Sequence, residues 1–337
     1  MGLPSYERLE HKFAEYIGVK DAVTANTGTA ALHLAIEAKQ YPIGTEIIVP
    51  DFTMIATAWA VTYAGHTPVF VGCSNYDYNI DLAAIEECIT WKTKAIMVTH
   101  IYGRISPMAF LHSLCEKHNL DLIEDCAEAH GAVYWDGPFS GKMVGSAGIG
   151  CFSFFKNKII AGEEGGMVTV RDDPEYAKRL RSMKNMAFTP EHNYVHETKG
   201  FNYRMTDSQA KLILHSLDDV EFNIQERFRV AKTYDERLPS EIQKEARRHA
   251  VWVYDIVTED PKGLVEFLNG HGVAARRFFS PMSSQPSLSM GRKAKYPRNG
   301  IEAHEFGCYL PVTPLMTKDE IWSICILVES FLSQKKS

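Results

Sequence analysis

The chain has no Cys-x-x-Cys pair anywhere in its 337 residues, and its seven cysteines are an odd, scattered set. That usage argues against a disulfide framework and for a reducing compartment, so the cytoplasm is the expected location. The thirteen histidines show no ligand pattern on a helix face, and no metal is expected. No segment approaches the roughly 18 consecutive apolar residues that a bilayer span needs, and no positive region followed by an apolar stretch opens the chain. No membrane partner is therefore expected. A basic excess is also missing: 36 Lys and Arg stand against 42 Asp and Glu, a formal charge of −6. With no basic run carrying interleaved aromatics, there is no electrostatic reason to expect nucleic acid. Internal repeats and low-complexity tracts are absent too.

What is present is a hydrophobic fraction of 45%, ample for a large core, in a chain long enough for about two domains of roughly 150 residues. Apolar runs at 46–50, 67–71, 94–100, 120–125, 149–155 and 166–170 read as strands, separated mostly by helix-like segments. This alternation predicts an α/β fold with a mainly parallel central sheet covered by helices on both faces. The stretch 206–238 has long helical periodicity with few breakers, and segments at 249–260, 264–272 and 318–334 suggest a smaller C-terminal α+β domain. The expected division is 1–230 for the large domain and 231–337 for the small one. The Pro/Ser-rich span from Pro281 to Pro297 reads as a surface loop near a substrate entrance.

Three local patterns carry chemistry. In Cys151 to Val168, an apolar β-like run delivers Lys158 between small polar residues and a glycine pair. An amine becomes a good nucleophile toward an aldehyde when burial or a neighbouring cation lowers its pKa, and the end of a packed strand offers that setting. In Leu120 to Ala132, an apolar run ends in Glu124-Asp125. Ligands of open α/β sheets bind at the carboxyl ends of strands, so Asp125 is placed to hold the ring nitrogen of pyridoxal phosphate protonated. The third pattern is Thr24 to Thr29, which opens a helical stretch with small residues. There the amides of Gly28, Thr29 and Ala30, a Thr hydroxyl and the positive helix terminus can bind a phosphate, with Ser153 adding a hydroxyl. Arg204, Arg276 and Arg277 are candidates for a donor carboxylate or a sugar phosphate, since a guanidinium binds either bidentately.

Together these segments resemble the sugar aminotransferases of the DegT/DnrJ/EryC1 family, which are fold-type I pyridoxal-phosphate enzymes. The resemblance covers nearly the whole chain, through FAEYIGVKDAVTANTGTAALHLAI, GTEIIVPDFTMIATAWAVTYAGHTPVFV, IEDCAEAHGA, FSFFKNKIIAGEEGGMV, GFNYRMTDSQAK, GVAARRFFSPMSSQP and LPVTPLMTKDEI. The phrase around Lys158 looks most like the perosamine-synthase type. The resemblance implies that Lys158 is the Schiff-base lysine and proton shuttle, and that Asp125 partners the pyridine nitrogen. Thr27, Gly28, Thr29 and Ser153 become phosphate contacts, while Glu128 and His130 lie beside the cofactor ring, His130 counted with the catalytic group. Asn202 matches a residue that reaches the neighbouring subunit's phosphate, which implies a homodimer sharing its active sites.

The chain departs from the family pattern in places. Met54 stands where an aromatic usually stacks on the ring, Lys156 replaces a small residue, and Ala161-Gly162-Glu163 replaces a Thr-Thr-Gly string. The chain also begins close to the family's first phrase, without its usual leading segment. The reaction implied is glutamate-dependent transamination of a nucleotide-linked 4-keto-6-deoxy sugar. Alternatives are a 3-keto-sugar or cyclitol aminotransferase, or a catalytically silent cofactor-binding regulatory relative. The family's ketosugar dehydratases carry histidine in place of the lysine, so Lys158 argues against them.

Overall fold

The computed structural model describes residues 3–189, 194–243, 248–294 and 298–336. Its strands are β1 (Asp21–Ala25), β2 (Glu46–Pro50), β3 (Thr67–Val71), β4 (Thr93–Thr99), β5 (Asp121–Asp125), β6 (Ile149–Ser153), β7 (Gly166–Val170), β8 (Tyr254–Val257), β9 (Arg276–Arg277), β10 (Arg292–Lys293) and β11 (Gly307–Leu310). Eight of them form one sheet in the order β1-β7-β6-β5-β4-β2-β3-β10, and the other three form a second sheet, β8-β11-β9. From β6 through β10 every neighbouring pair in the large sheet is parallel, and β7 runs antiparallel to both its neighbours. The small sheet is antiparallel throughout.

The pattern of apolar residues explains the large sheet. Alternate strand residues point to opposite faces. In β2, Ile48 joins one core with Leu9, Phe13 and Ile96, while Ile47 and Val49 join the other with Leu34, Met97 and Ile123. Both faces are apolar, so both must be covered by helices, as parallel sheets require. Helix α1 (Ser5–Ile17) covers one face. Helices α2 (Gly28–Glu37) and α3 (Ile55–Tyr63) cover the other. All parallel strands then release their carboxyl ends along one edge, where β5 stops at Asp125 and β6 at Ser153.

Several elements differ from the sequence reading. Strand β1 was not expected, because Thr24 interrupts its apolar character; the buried threonine is satisfied instead by Glu10, which accepts from its amide and its hydroxyl at 2.8 Å each. The run at 149–155 ends as a strand at Ser153, since Phe154 and Phe155 already belong to the turn that carries Lys158. The stretch 206–238 is two helices, Asp207–Asp218 and Val220–Arg237, broken at Asp219. The expected division after residue 230 falls within the second of these helices. Of the span 281–297, residues 295–297 lie outside the described residues. The rest is anchored: Ser283 donates to Asp51 from its amide and its hydroxyl, Met282 and Leu288 are buried, and β10 pairs with β3.

The two sheets are joined by a tight turn after β4. Tyr102 and Gly103 both adopt positive φ, +50° and +79°. A Cβ on Gly103 would lie 2.0 Å from the Ala250 carbonyl oxygen, so only glycine fits this approach. The Gly103 carbonyl accepts from the amides of His249 and Ala250. The next residue, Arg104, donates to both carboxylate oxygens of Asp255 in β8, at 3.0 and 2.8 Å. All seven cysteines are buried thiols. Among the described residues no helix is long and apolar enough to cross a membrane.

Candidate active site

A cavity of about 380 Å³ opens at the carboxyl ends of β5 and β6, against the start of α2. Its wall includes Thr27, Gly28, Thr29, Met54, Asp125, Glu128, Ser153, Lys158 and Arg276, all expected from sequence. The structure thus brings the three chemical patterns to one place. Trp252, Phe279 and Tyr309 complete the wall from the side of the small sheet.

Lys158 sits in a turn after β6, closed by bonds from the Lys158 amide to the Phe155 carbonyl and from the Gly162 amide to the Phe154 carbonyl. Its Nζ lies 3.7 Å from the centre of the Trp252 ring. Burial lowers the amine's pKa, the charges of Glu128 and Asp125 oppose that shift, and the Arg227 charge adds to it. Asp125 is buried, which raises its pKa. Its carboxylate is held by the Thr57 hydroxyl at 2.8 Å and by the Ala127 amide at 3.1 Å. Thr57 is linked to Thr53, and Thr53 to Thr99, so a line of buried hydroxyls fixes the acid. Glu128 accepts from the Tyr102 amide at 2.8 Å. Burial pushes its pKa up to about 7, against the opposing charge of Lys158.

The start of α2 is built for close approach. Thr27 caps the helix, its hydroxyl accepting from the Ala30 amide at 3.1 Å. The amide of Ala30, expected from sequence to face an anion, is therefore engaged, which leaves those of Gly28 and Thr29 at the cavity wall. A Cβ on Gly28 would lie 2.6 Å from the Cβ of Ser153. The absent side chain makes a cradle between the helix terminus and the Ser153 hydroxyl. Such a terminus carries partial positive charge and favours an anion. A carboxylate, an amine and an anion cradle lining one cavity fit pyridoxal phosphate. Asp125 would hold its ring nitrogen, Lys158 its reactive carbon, and Gly28, Thr29 and Ser153 its phosphate. Gly28→Ala should weaken cofactor binding by at least about tenfold, the cost of one lost charge-assisted hydrogen bond, and should lower the melting temperature, because the new Cβ would press on Ser153. Titrating pyridoxal phosphate into the cofactor-free protein checks this.

Four expected residues lie away from the cavity wall. His130 packs within the core, its ring 5.5 Å from that of Phe152 and 5.9 Å from that of Phe154. Burial, with the nearby charges of Lys158 and Arg227, pushes its pKa down to about 3. The structure thus places His130 in the core and not in the cavity wall. Arg277, half-buried in β9, donates to the His304 carbonyl at 3.1 Å instead of facing the cavity. Arg204 is exposed and donates to Asn185 at 3.1 Å, beside a separate cavity of about 450 Å³ near α1. That cavity holds a buried lysine, Lys184, but its amine is committed to Glu10 and Thr24 at 2.6 and 2.8 Å. Asn202 is exposed and bridges to Asn185.

The reading of the residues missed Thr57, Trp252, Phe279 and Tyr309. Thr57 alone had a local signal, since it lies four residues after Thr53 and so on the same side of a helical turn. The neighbour of Asp125, Glu124, points to the opposite face and accepts from His100 at 3.0 Å. His100, Glu124 and Cys126 bring three ligand atoms within 4.8 Å. Because the Ser106 amide donates to His100 Nδ1, Nε2 carries the proton toward Glu124, which leaves it no lone pair for a metal.

Known proteins resemble the chain over nearly its whole length. The chain is 40% identical over 292 residues to the GDP-perosamine synthase of Caulobacter vibrioides, covering 82% of this chain and 76% of that protein. It is 36% identical over 340 residues to the GDP-perosamine synthase of Escherichia coli O157:H7, covering 98% and 90%. The crystal structure of S. venezuelae DesV superposes with a TM-score of 0.89 at 29% identity, over 98% of this chain and 90% of that one. The family model for DegT/DnrJ/EryC1/StrS aminotransferases matches residues 2–329, and the chain belongs to that family.

Proposed function

We propose that the protein is a pyridoxal-phosphate-dependent aminotransferase that moves the amine of L-glutamate onto a nucleotide-linked 4-keto-6-deoxy sugar, giving the 4-amino-4,6-dideoxy sugar. The observation that carries the reading is the meeting of Lys158, Asp125 and the open start of α2 in one cavity. The names of the two perosamine synthases, at 40% and 36% identity, support the nucleotide-sugar substrate and the 4-position.

When bound, pyridoxal phosphate supplies an electron sink and carries the amine between donor and acceptor. Lys158 would anchor it and, as a freed neutral amine, would take up a proton at Nζ from the donor's α-carbon and later give it back from the same atom. The same amine would serve as base and then as acid, which a lowered pKa favours. Asp125, held rigid by Thr57, would keep a proton on the ring nitrogen through its carboxylate. Gly28, Thr29 and Ser153 would hold the phosphate. Met54, 48% exposed at the mouth, offers a thioether to the ring face where relatives carry an aromatic. Arg276, on the rim, attracts the donor carboxylate or the sugar's phosphates. The proposal includes a cytoplasmic homodimer in which Asn202 of one subunit reaches the phosphate in the other.

The test is the absorbance of the protein with pyridoxal phosphate before and after L-glutamate, followed by GDP-, dTDP- and UDP-linked 4-keto-6-deoxy sugars with products read by mass. Conversion by glutamate and a mass gain matching amination on one of these sugars is the expected result. A cofactor spectrum that glutamate leaves unchanged would sink the donor assignment and favour a silent relative. Amination only of a 3-keto sugar would move the position.

A further inference from the structure

Arg227 lies mid-way along the helix Val220–Arg237 and is buried. Its Nη1 donates to the carbonyls of Trp252 and Val312 at 3.0 and 2.9 Å. Its Nη2 donates to the carbonyls of Asn157 and Lys158, both at 3.3 Å. Its Nε has no acceptor among the described residues. All four recorded partners are therefore neutral backbone oxygens. Taking a cation out of water without a counter-charge is costly, and burial pushes even this guanidinium down to about 10.

The four carbonyls are not scattered. One belongs to Lys158 itself and another to Trp252, whose ring lies 3.7 Å from the lysine Nζ. A single planar group thus ties both the lysine turn after β6 and the segment carrying the indole to one helix. A lysine ammonium, with three donors from a single point, cannot span four carbonyls from three segments in the same way.

We infer that Arg227 is a positioning residue for the reactive amine: its guanidinium, held by four backbone carbonyls, fixes Lys158 and Trp252 in one relation and places a buried cation beside the lysine turn. This rests on Lys158 being the reactive amine. Charged groups of both signs face Lys158. Asp125 and Glu128, from the end of β5 and the turn beyond it, favour the charged amine, as does the face of Trp252. His130 is neutral, Tyr309 and Arg276 line the same cavity from β11 and β9, and burial, with the smaller contribution of Arg227, opposes the two carboxylates. Without Arg227 burial alone would oppose them, and the amine would stay protonated to a higher pH.

The experiment measures the pH midpoint for acylation of Lys158 in the cofactor-free protein, using an amine-directed anhydride and mass spectrometry, for wild type, Arg227→Gln and Arg227→Lys. Steady-state kcat and KM are measured alongside on the loaded enzymes. For Arg227→Gln the midpoint should rise by about one pH unit, as expected for loss of one nearby like charge, and kcat should fall at least about tenfold with KM for glutamate within about threefold. Arg227→Lys should keep the wild-type midpoint, because the charge remains, yet lose kcat, because the four-carbonyl clamp does not. An Arg227→Gln protein of wild-type melting temperature with unchanged midpoint would overturn the inference. If Arg227→Gln does not fold, Arg227→Lys decides, and wild-type kcat in that variant would overturn it as well. A wild-type Lys158 midpoint no lower than that of surface lysines would instead refute the reading of Lys158 as a tuned amine.

Discussion

Lys158→Ala is expected to lower amine transfer by at least about a thousandfold, within the range for removing a positioned acid-base group, while leaving pyridoxal phosphate bound. The two halves of that expectation have different origins. The residues proposed to hold the cofactor, Gly28, Thr29, Ser153 and Asp125, are independent of the lysine side chain, so retention should survive. For proton movement, His130 is packed among Phe152 and Phe154, and Glu128, with one oxygen held by the Tyr102 amide, is the cavity group left to supply residual activity. Cys151 also lines the cavity, but burial raises its thiol well above the usual range and keeps it protonated. Single-turnover amine transfer, with bound cofactor quantified after desalting, checks both halves. Partial recovery with added small primary amines would show that the missing function is proton movement. Activity within tenfold of wild type would remove Lys158 from that role.

The second large effect concerns stability. Asp255→Ala should cost about 3–5 kcal/mol, the range for stranding one side of a buried ion pair. Asp255 is fully buried, takes both bonds from Arg104 and lies 3.3 Å from Arg248 Nε. Its removal would take from the buried Arg104 the carboxylate that accepts its two Nη2 bonds, while Arg248 keeps Asp235 at 3.6 Å. Burial pushes the Asp255 pKa up, but Arg104 and Arg248 outweigh it and hold the carboxyl below its usual range. The sign of the pH dependence follows. A carboxyl with a lower pKa folded than unfolded adds stability that is fully present above the unfolded value of about 3.9, and loses it as pH falls through the depressed folded value. Wild type should therefore lose stability in acid more steeply than Asp255→Asn, whose group does not titrate. Urea unfolding midpoints from pH 7 to pH 3 measure both slopes, and parallel slopes would contradict the assignment.

Much of this was legible because local pattern and function coincide. Strands β2, β3 and β7 have the bounds that their apolar runs imply, since a run of four or five buried residues bracketed by turn residues leaves little choice. The order Gly28, Asp125, Lys158 was readable because each follows or precedes a strand end, and in a parallel sheet those ends gather. Trp252, Tyr309 and Phe279 were not readable. They reach the cavity from segments 94 to 151 residues beyond Lys158, through a sheet packing that no local period encodes. Strand β1 was hidden because its buried Thr24 is satisfied by Glu10 and Lys184, partners at distant positions. Strand β10 was hidden because its residues are charged: Arg292 is paired with Glu46, which makes an arginine at home at the edge of a sheet.

The return of the chain to the large sheet at β10 bears on how the protein is made. The ribosome releases β3 long before Arg292 exists, so that edge first emerges with its backbone donors and acceptors unpaired, a ready template for another chain. Arg227 and Trp252 join Lys158 earlier, since both precede Arg292 in the chain. The edge of β3 is thus among the last features of the large sheet to be closed, and a product that stops short of β10 keeps it open.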